Sequence, residues 1–383
     1  MRIRSYFLAI GILLWGCRDA PSPHGQDPGE VVSHWEPKYA KGFTADHTRS
    51  GIIYLNVNSP WPGASKTYRY ALVPREKAGK IRLPLDDLDG VVQVPVGRVI
   101  LTSTTHIPAL ESLGLMDHLV GFPGLDYISS REARLRISAG AIQELGANEQ
   151  LNTEKVLELD PDLVVGFGIS GAPSSYRALE ASGIPVIYNG DWMEEDPLGK
   201  AEWITFFGLL FGKQDIAASI FDEVKNAYLE ARKLAAGART TPTVLSGALY
   251  RDIWYLPGGQ SWAARFIRDA NADYLWGDTT EKGSLSLSLE SVLEGGSQAD
   301  YWIAPSQFTA YQQMLEADEH YRQFKAFRNK AVYTYALSQG PGKGLLYFEQ
   351  GPSRPDLILK DLIYWFHPGL LDDYKPTFFK PLQ

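Results

Sequence analysis

Side chains able to do chemistry are thinly spread along this chain. Gly166-Phe-Gly168-Ile-Ser-Gly171 follows an apolar run and precedes a helical one, and Asp191 stands about where a ribose-binding acid would. That spacing suits a pyrophosphate cradle and so a nicotinamide or flavin oxidoreductase. It equally suits a glycine-rich strand end that lets backbone approach a ligand. Pro173 interrupts the helix start, and the unit is not the first strand-helix-strand unit of the chain, which weighs against the dinucleotide. His24, His34, His47, His106, His118, His320 and His367 include no pair at metal-ligand spacing, and Cys17 is the lone thiol, so a bare metal site is not expected. His106 follows a strand, where it either caps a bound metal or serves as a helix-start or core residue. No Ser-His-Asp, His-Glu-x-x-His or paired-carboxylate constellation stands out, and no catalytic residue or resident cofactor is assigned.

Two carboxylates recur in register. Leu151-Asn-Thr-Glu-Lys-Val-Leu-Glu158 reappears in degenerate form as Leu287-Ser-Leu-Glu-Ser-Val-Leu-Glu294, and the copies lead to Asp162 and Asp300, each opening an apolar run. Asn152 and Ser288 are good helix caps, so Glu154 and Glu290 fall in matching first turns. A carboxylate there meets the positive end of the helix dipole, worth about 0.3 to 1 kcal/mol. The repeat implies two similar lobes, and two lobes make a cleft.

A chain of 383 residues is long enough for two cores. Aromatics make up 12%, with 10 Trp and 20 Tyr, which suggests that some rings line a binding surface. The net charge of -8, with no basic window, argues against nucleic acid as a partner.

Arg2 and Arg4 precede an apolar run over 6–14 that is too short to span a bilayer, the pattern of an export signal. Cys17 closes that run in a sequence that resembles a bacterial lipobox, in which the thiol is acylated; the alternative is an ordinary signal peptide with an incidental cysteine. A single thiol excludes an internal disulfide. Residues 1–17 are thus read as signal and lipobox, and 18–45, rich in Pro, Gly, Asp and Ser, as a flexible tether to a membrane.

The elements that must position these residues alternate as parallel α/β units do. Residues 52–57 and 67–72 read as an antiparallel strand pair. Strands follow at 98–101, 119–122, 163–167 and 185–188, with helices at 108–113, 153–158 and 175–181. The stretch 215–236 lacks Gly and Pro and places Ile216, Ile220, Val224, Tyr228 and Leu229 at helical spacing. A second series has strands at 243–249, 301–304 and 331–335, with helices at 261–269, 289–293, 321–324 and 355–366. The expected fold is two α/β lobes with mainly parallel sheets, at 46–212 (including an added strand pair) and 238–383, joined by one long helix at 213–237.

With these elements in place the chain resembles the substrate-binding proteins of ABC importers for iron complexes and cobalamin. The resemblance is carried by Arg98-Val-Ile-Leu-Thr-Ser-Thr-Thr105, Leu113-Gly-Leu-Met-Asp-His-Leu-Val-Gly121, Leu151-Asn-Thr-Glu154 and Leu159-Asp-Pro-Asp-Leu-Val-Val165. Gly183-Ile-Pro-Val-Ile187 and Ile267-Arg-Asp-Ala-Asn-Ala-Asp-Tyr274 extend it. It implies a lipid-anchored receptor that delivers a metal chelate or corrinoid to a permease dimer with its ATPase. A ferric siderophore comes first, with cobalamin and haem as alternatives. It also implies that Glu154 and Glu290 dock the two permease halves. Candidate ligand groups at or just after strand ends are Thr104, Thr105, Tyr127, Phe167 and Trp192 in the first lobe, and Tyr250, Arg251, Trp254 and Tyr347 in the second. Rings suit the apolar face of a chelate; Arg251 either pairs with an anionic group or is a solvated loop charge. The segment 51–94 departs from the family pattern.

Overall fold

Five strands precede the first α/β unit: β1 (Val31–Trp35), β2 (Phe43–Thr48), β3 (Ile53–Asn58), β4 (Thr67–Pro74) and β5 (Gly90–Val94). The computed structural model describes residues 29–81 and 83–383; the export signal, Cys17 and the first part of the tether lie outside the described residues. The five strands form one sheet in sequence order, antiparallel except for the parallel β4–β5 pair. Side chains alternate across it with period two. Leu55, Val57, Tyr70 and Leu72 join the core of the first lobe, while Tyr54, Ala71 and Val73 bury the opposite face under Ile81, Leu83, Leu88 and Val91. The strand pair expected at 52–72 is therefore the middle of a larger sheet.

The expected tether at 18–45 is corrected from residue 31 onward. There β1 pairs with β2, and two buried carboxylates hold the connection between them. Glu202 accepts the backbone N–H groups of Lys38, Tyr39 and Ala40, and Glu194 those of Lys41 and Gly42. Polar composition suggested a loop, but the donors of this loop are satisfied inside the protein.

The first lobe contains β6 (Val99–Leu101), β7 (Leu119–Phe122), β8 (Gln143–Glu144), the small antiparallel pair β9 (Gly146–Ala147) and β10 (Gln150–Leu151), then β11 (Leu163–Gly166) and β12 (Val186–Tyr188). Its main sheet is wholly parallel, in the order β12-β11-β6-β7-β8. The second lobe contains β13 (Thr243–Ser246), β14 (Ala248–Tyr250), β15 (Ile253–Pro257), β16 (Asp273–Tyr274), β17 (Ser284–Leu287), β18 (Tyr301–Ile303), β19 (Val332–Thr334) and β20 (Lys380–Pro381). Its sheet runs β16-β13-β18-β19-β20, with only β20 antiparallel; β14, β15 and β17 form a separate antiparallel sheet that the sequence pattern did not reveal.

The repeated motif does the same structural work in both lobes. Asp162 Oδ2 accepts the N–H groups of Gly97 and Arg98 at 2.6 and 3.0 Å, just before β6, and Asp300 Oδ2 accepts that of Thr243 at 2.9 Å, at the start of β13. The strand after each Asp then pairs in parallel with the strand so pinned, β11 with β6 and β18 with β13.

One helix, Gln214–Ala236, connects the lobes; its 23 residues span about 35 Å at the usual rise. Phe221, Val224, Tyr228 and Ala231 form its buried stripe, whereas Ile216 is exposed, so the apolar face is rotated from the one read in the sequence. The helix packs on Ile204–Phe211 of the first lobe and Pro355–Phe366 of the second. The segment 321–324, expected as a helix, is the end of a 3-10 turn, Glu319–Gln323.

Candidate functional site

The carboxyl ends of the second lobe's strands open onto a cleft of about 710 Å³. Ser246 ends β13, Ile303 ends β18, and Tyr335 follows β19; Tyr255 of β15 and Trp262 complete that side. The first lobe contributes Trp192 to Glu195, just beyond β12, and Pro62 from the β3–β4 connection. Both lobes thus present strand ends to one space, the usual ligand position for open α/β sheets.

Aromatic faces dominate the wall. Tyr335 and Tyr347 stack at 4.6 Å with ring planes 8° apart, and Trp262 lies 5.9 Å from Tyr347. Burial pushes the Tyr347 phenol far above its ordinary range, so it stays protonated and able to donate. Lys200 is buried behind the wall. Its ammonium donates to the carbonyls of Asp191 and Trp192 at 3.1 and 2.7 Å and lies 5.2 Å over the Trp262 ring, which fixes the Trp192 backbone against the second lobe. Burial lowers its pKa to about 8. At the rim, Lys282 of the second lobe pairs with Glu195 of the first at 2.7 Å.

A second interlobe space, of about 430 Å³, is lined by Thr104 and Tyr127 from the first lobe and by Gln307, Thr309 and Lys343 from the second. Phe348 borders both spaces. Residues 338–350 form the strap that carries it. Lys343 donates its N–H to the Asp126 carbonyl at 2.7 Å, and its ammonium pairs with the Asp126 carboxylate at 3.0 Å. Glu349 ends the strap: its carboxylate, 1% exposed, accepts the N–H groups of Ser129 and Ser130 at 2.5 and 2.8 Å, at the start of the helix Arg131–Ser138. A second-lobe carboxylate thereby caps a first-lobe helix. Desolvation nevertheless raises its pKa to about 7.

Of the ligand residues read from the sequence, Trp192, Tyr250 and Tyr347 line the larger cleft, and Thr104 and Tyr127 the smaller space. The structure does not bring the others to either. Thr105 bonds Ser103 within a helix cap, and Phe167, half-buried, donates its N–H to Thr102. Arg251 turns its guanidinium over Tyr250, at 5.4 Å. Trp254 is corrected outright: it is fully buried, stacked 5.2 Å from Trp302, with its indole N–H on the Ser246 carbonyl. It sits on the inner face of β15, while Tyr255, one residue on, takes the cleft side, as strand alternation requires. His106 is a core residue, fully buried against Phe207, its pKa lowered by that burial. Trp262, Tyr255, Tyr335 and Lys282 were missed. Tyr335 directly follows a strand and was open to the same rule that found the rest; Tyr255 belongs to the unrecognised small sheet, and Lys282 lies in the connection just before its strand β17.

The glycine motif is filled with protein. A Cβ on Gly166 would lie 2.5 Å from the Tyr176 ring, and one on Gly168 2.3 Å from the Gly171 carbonyl and 3.2 Å from the Trp61 ring. The helix behind it begins only at Ser174, with Pro173 as its cap residue. These glycines admit side chains and backbone where a pyrophosphate would otherwise stand. Glu154 and Glu290 are both exposed, each at the second position of a helix capped by Asn152 or Ser288.

Two α/β lobes joined by one long helix, with strand ends facing across a solute-sized cleft, make up a helical-backbone binding-protein architecture. The profile of the family described as Periplasmic binding protein matches residues 99–336. The chain belongs to this family of solute-binding proteins. It is 26% identical over 362 residues to an uncharacterized lipoprotein of Methanocaldococcus jannaschii, covering 92% of this chain and 81% of that one. Among solved structures it is similar in fold to a periplasmic haem-binding protein from Pseudomonas aeruginosa (TM-score 0.57, 19% identity, 75% of this chain and 98% of that one). It is likewise similar to the periplasmic vitamin B12 binding protein of Vibrio cholerae (TM-score 0.52, 14% identity, 71% and 96%). Family and neighbours are binding proteins rather than enzymes.

Proposed function

We propose that this protein is the extracytoplasmic receptor of an ABC importer, capturing a metal chelate in the interlobe cleft and delivering it to a permease dimer with its ATPase. The observation that carries the reading is the ring-lined cleft itself: about 710 Å³, within the usual range for small-molecule sites, with stacked Tyr335 and Tyr347 on one side and Trp192 on the other. A ferric siderophore is the proposed cargo, its ligand shell lying against the rings and its peripheral oxygens within reach of Lys282 and the phenols. Haem and cobalamin, which the similar structures bind by name, are the competing cargoes. The metal arrives inside the cargo.

Glu154 and Glu290 are proposed as the docking carboxylates, one per lobe, where rim charge sets register and on-rate. Cys17 is proposed as the lipid anchor. Native mass spectrometry of the mature domain with ferric siderophores, haem, cobalamin and NAD tests the reading. A one-to-one complex with one chelate supports it; retention of NAD alone overturns it.

A further inference from the structure

The β3–β4 connection, residues 59–66, precedes the segment matched by the family profile, which begins at 99. It lies over the carboxyl ends of β11 and β12. Pro60 abuts Gly190, where a Cβ would sit 3.1 Å from the Pro60 Cα, and the Trp61 ring closes over Gly168. Trp61 is 8% exposed and wedged edge-on against Tyr188 at 5.1 Å, with Tyr68 at 5.5 Å. The turn is held by its own backbone as well: Ala64 donates to the Trp61 carbonyl at 3.1 Å, and Ser59 Oγ to the Ala64 carbonyl at 3.2 Å. Ser59 and Gly63 take positive φ values of 45° and 79°. Pro62, at the exposed tip, faces the larger cleft beside Trp192 and Met193.

An open α/β sheet ordinarily receives its ligand at the place where this turn sits. The first lobe's share of the cleft is correspondingly small, and most of the wall comes from the second lobe. We infer that the Pro60–Trp61–Pro62 turn of the appended sheet is a specificity-determining part of the ligand site. It fills the first-lobe half, so that the cleft accepts a compact chelate laid against the Tyr335–Tyr347 stack and rejects a bulkier corrinoid. The inference rests on the proposed receptor reading and adds to it the element that sets cargo size.

Calorimetric titration with haemin, a ferric trihydroxamate and cyanocobalamin, the bulkiest of the three, tests it on the full mature domain. Trp61→Ala combined with Pro62→Gly removes the wedge. The affinity for cyanocobalamin is expected to rise by about tenfold relative to that for the trihydroxamate. Pro62→Glu leaves the Trp61 anchor in place and changes only an exposed tip, so it carries the test if the double variant fails to fold. It is expected to weaken haemin, with its two propionates, by about fivefold more than neutral cyanocobalamin. Unchanged affinity ratios in both variants overturn the inference while leaving the receptor reading intact. Absence of binding to any probe by the wild type and both variants overturns the receptor reading, and the turn's role with it.

Discussion

Replacing Glu349 by Gln isolates the contact that holds the strap to the first lobe. The carboxyl is desolvated, and its pKa in the folded protein stands at about 7 against an ordinary 4.5. The groups facing it are the Ser129 and Ser130 N–H groups, which favour the carboxylate, and Glu111 on Ile107–Ser112, which opposes it. Because the folded state holds this proton more tightly than the unfolded chain, stability falls as pH rises from 4.5 to 7 and levels off above. At about 1.4 kcal/mol per pH unit the interval amounts to about 3 kcal/mol. Gln is neutral at every pH and keeps one carbonyl acceptor, but turns its amide toward the second N–H, at a cost of about 1 to 3 kcal/mol. Urea unfolding of both proteins between pH 4.5 and 8 is the assay. Wild type should be more stable than E349Q at the acid end by about 1 to 3 kcal/mol, and because only the wild type gives up about 3 kcal/mol on the way to pH 8, that lead should vanish or reverse there. Parallel pH profiles would refute the reasoning, because they would mean that the carboxylate is not held in this buried cap.

Trp254→Ala empties a ring site between Trp302 and Phe324, and should cost about 3 to 5 kcal/mol in chemical denaturation while leaving affinity for the proposed chelate unchanged; a large affinity loss at preserved stability would put the indole back in the cleft. Gly344→Ala places a Cβ 1.9 Å from the Tyr127 carbonyl, so the strap must shift, at about 1 to 3 kcal/mol, and protease cleavage within 338–350 should accelerate. Reversing both exposed carboxylates, Glu154→Arg with Glu290→Arg, should abolish uptake in cells while calorimetry shows unaltered ligand affinity; loss of binding as well would contradict a docking role.

The two lobes were legible because their signals are local. Runs such as Leu163 to Val165 are buried on every side, and Asn152 and Ser288 cap their helices as their residue types require. The repeat was readable for the same reason, although its Asp162 and Asp300 pins show only in the folded chain, since each reaches a strand start far away in sequence. The site was less legible. A strand-end rule selects positions but not faces, and it put Trp254 in the cleft when one step along β15 decides between core and ligand. The small sheet was invisible because β14 was merged into the single strand read at 243–249, β15 follows it after only Arg251 and Asp252 in a stretch read as no element, and β17 pairs across a long excursion. The strap escaped notice because Gly340-Pro-Gly-Lys-Gly344 has loop composition, and composition does not say that such a loop spans two lobes.

Glu349 lies 220 residues beyond the Ser129 N–H group that it accepts. At about 5 to 20 residues per second, the amino-terminal half of the chain exists for roughly 10 to 40 s before that carboxylate is made. Until then the Ser129 and Ser130 N–H groups, just ahead of the helix Arg131–Ser138, lack the carboxylate that accepts them in the finished fold. A chain truncated before residue 349 therefore lacks the acceptor that covers this helix start in the finished protein. Lys343 reaches Asp126 before that carboxylate is made, so the strap's contacts with the first lobe become available in order of synthesis, Lys343 first and Glu349 after it.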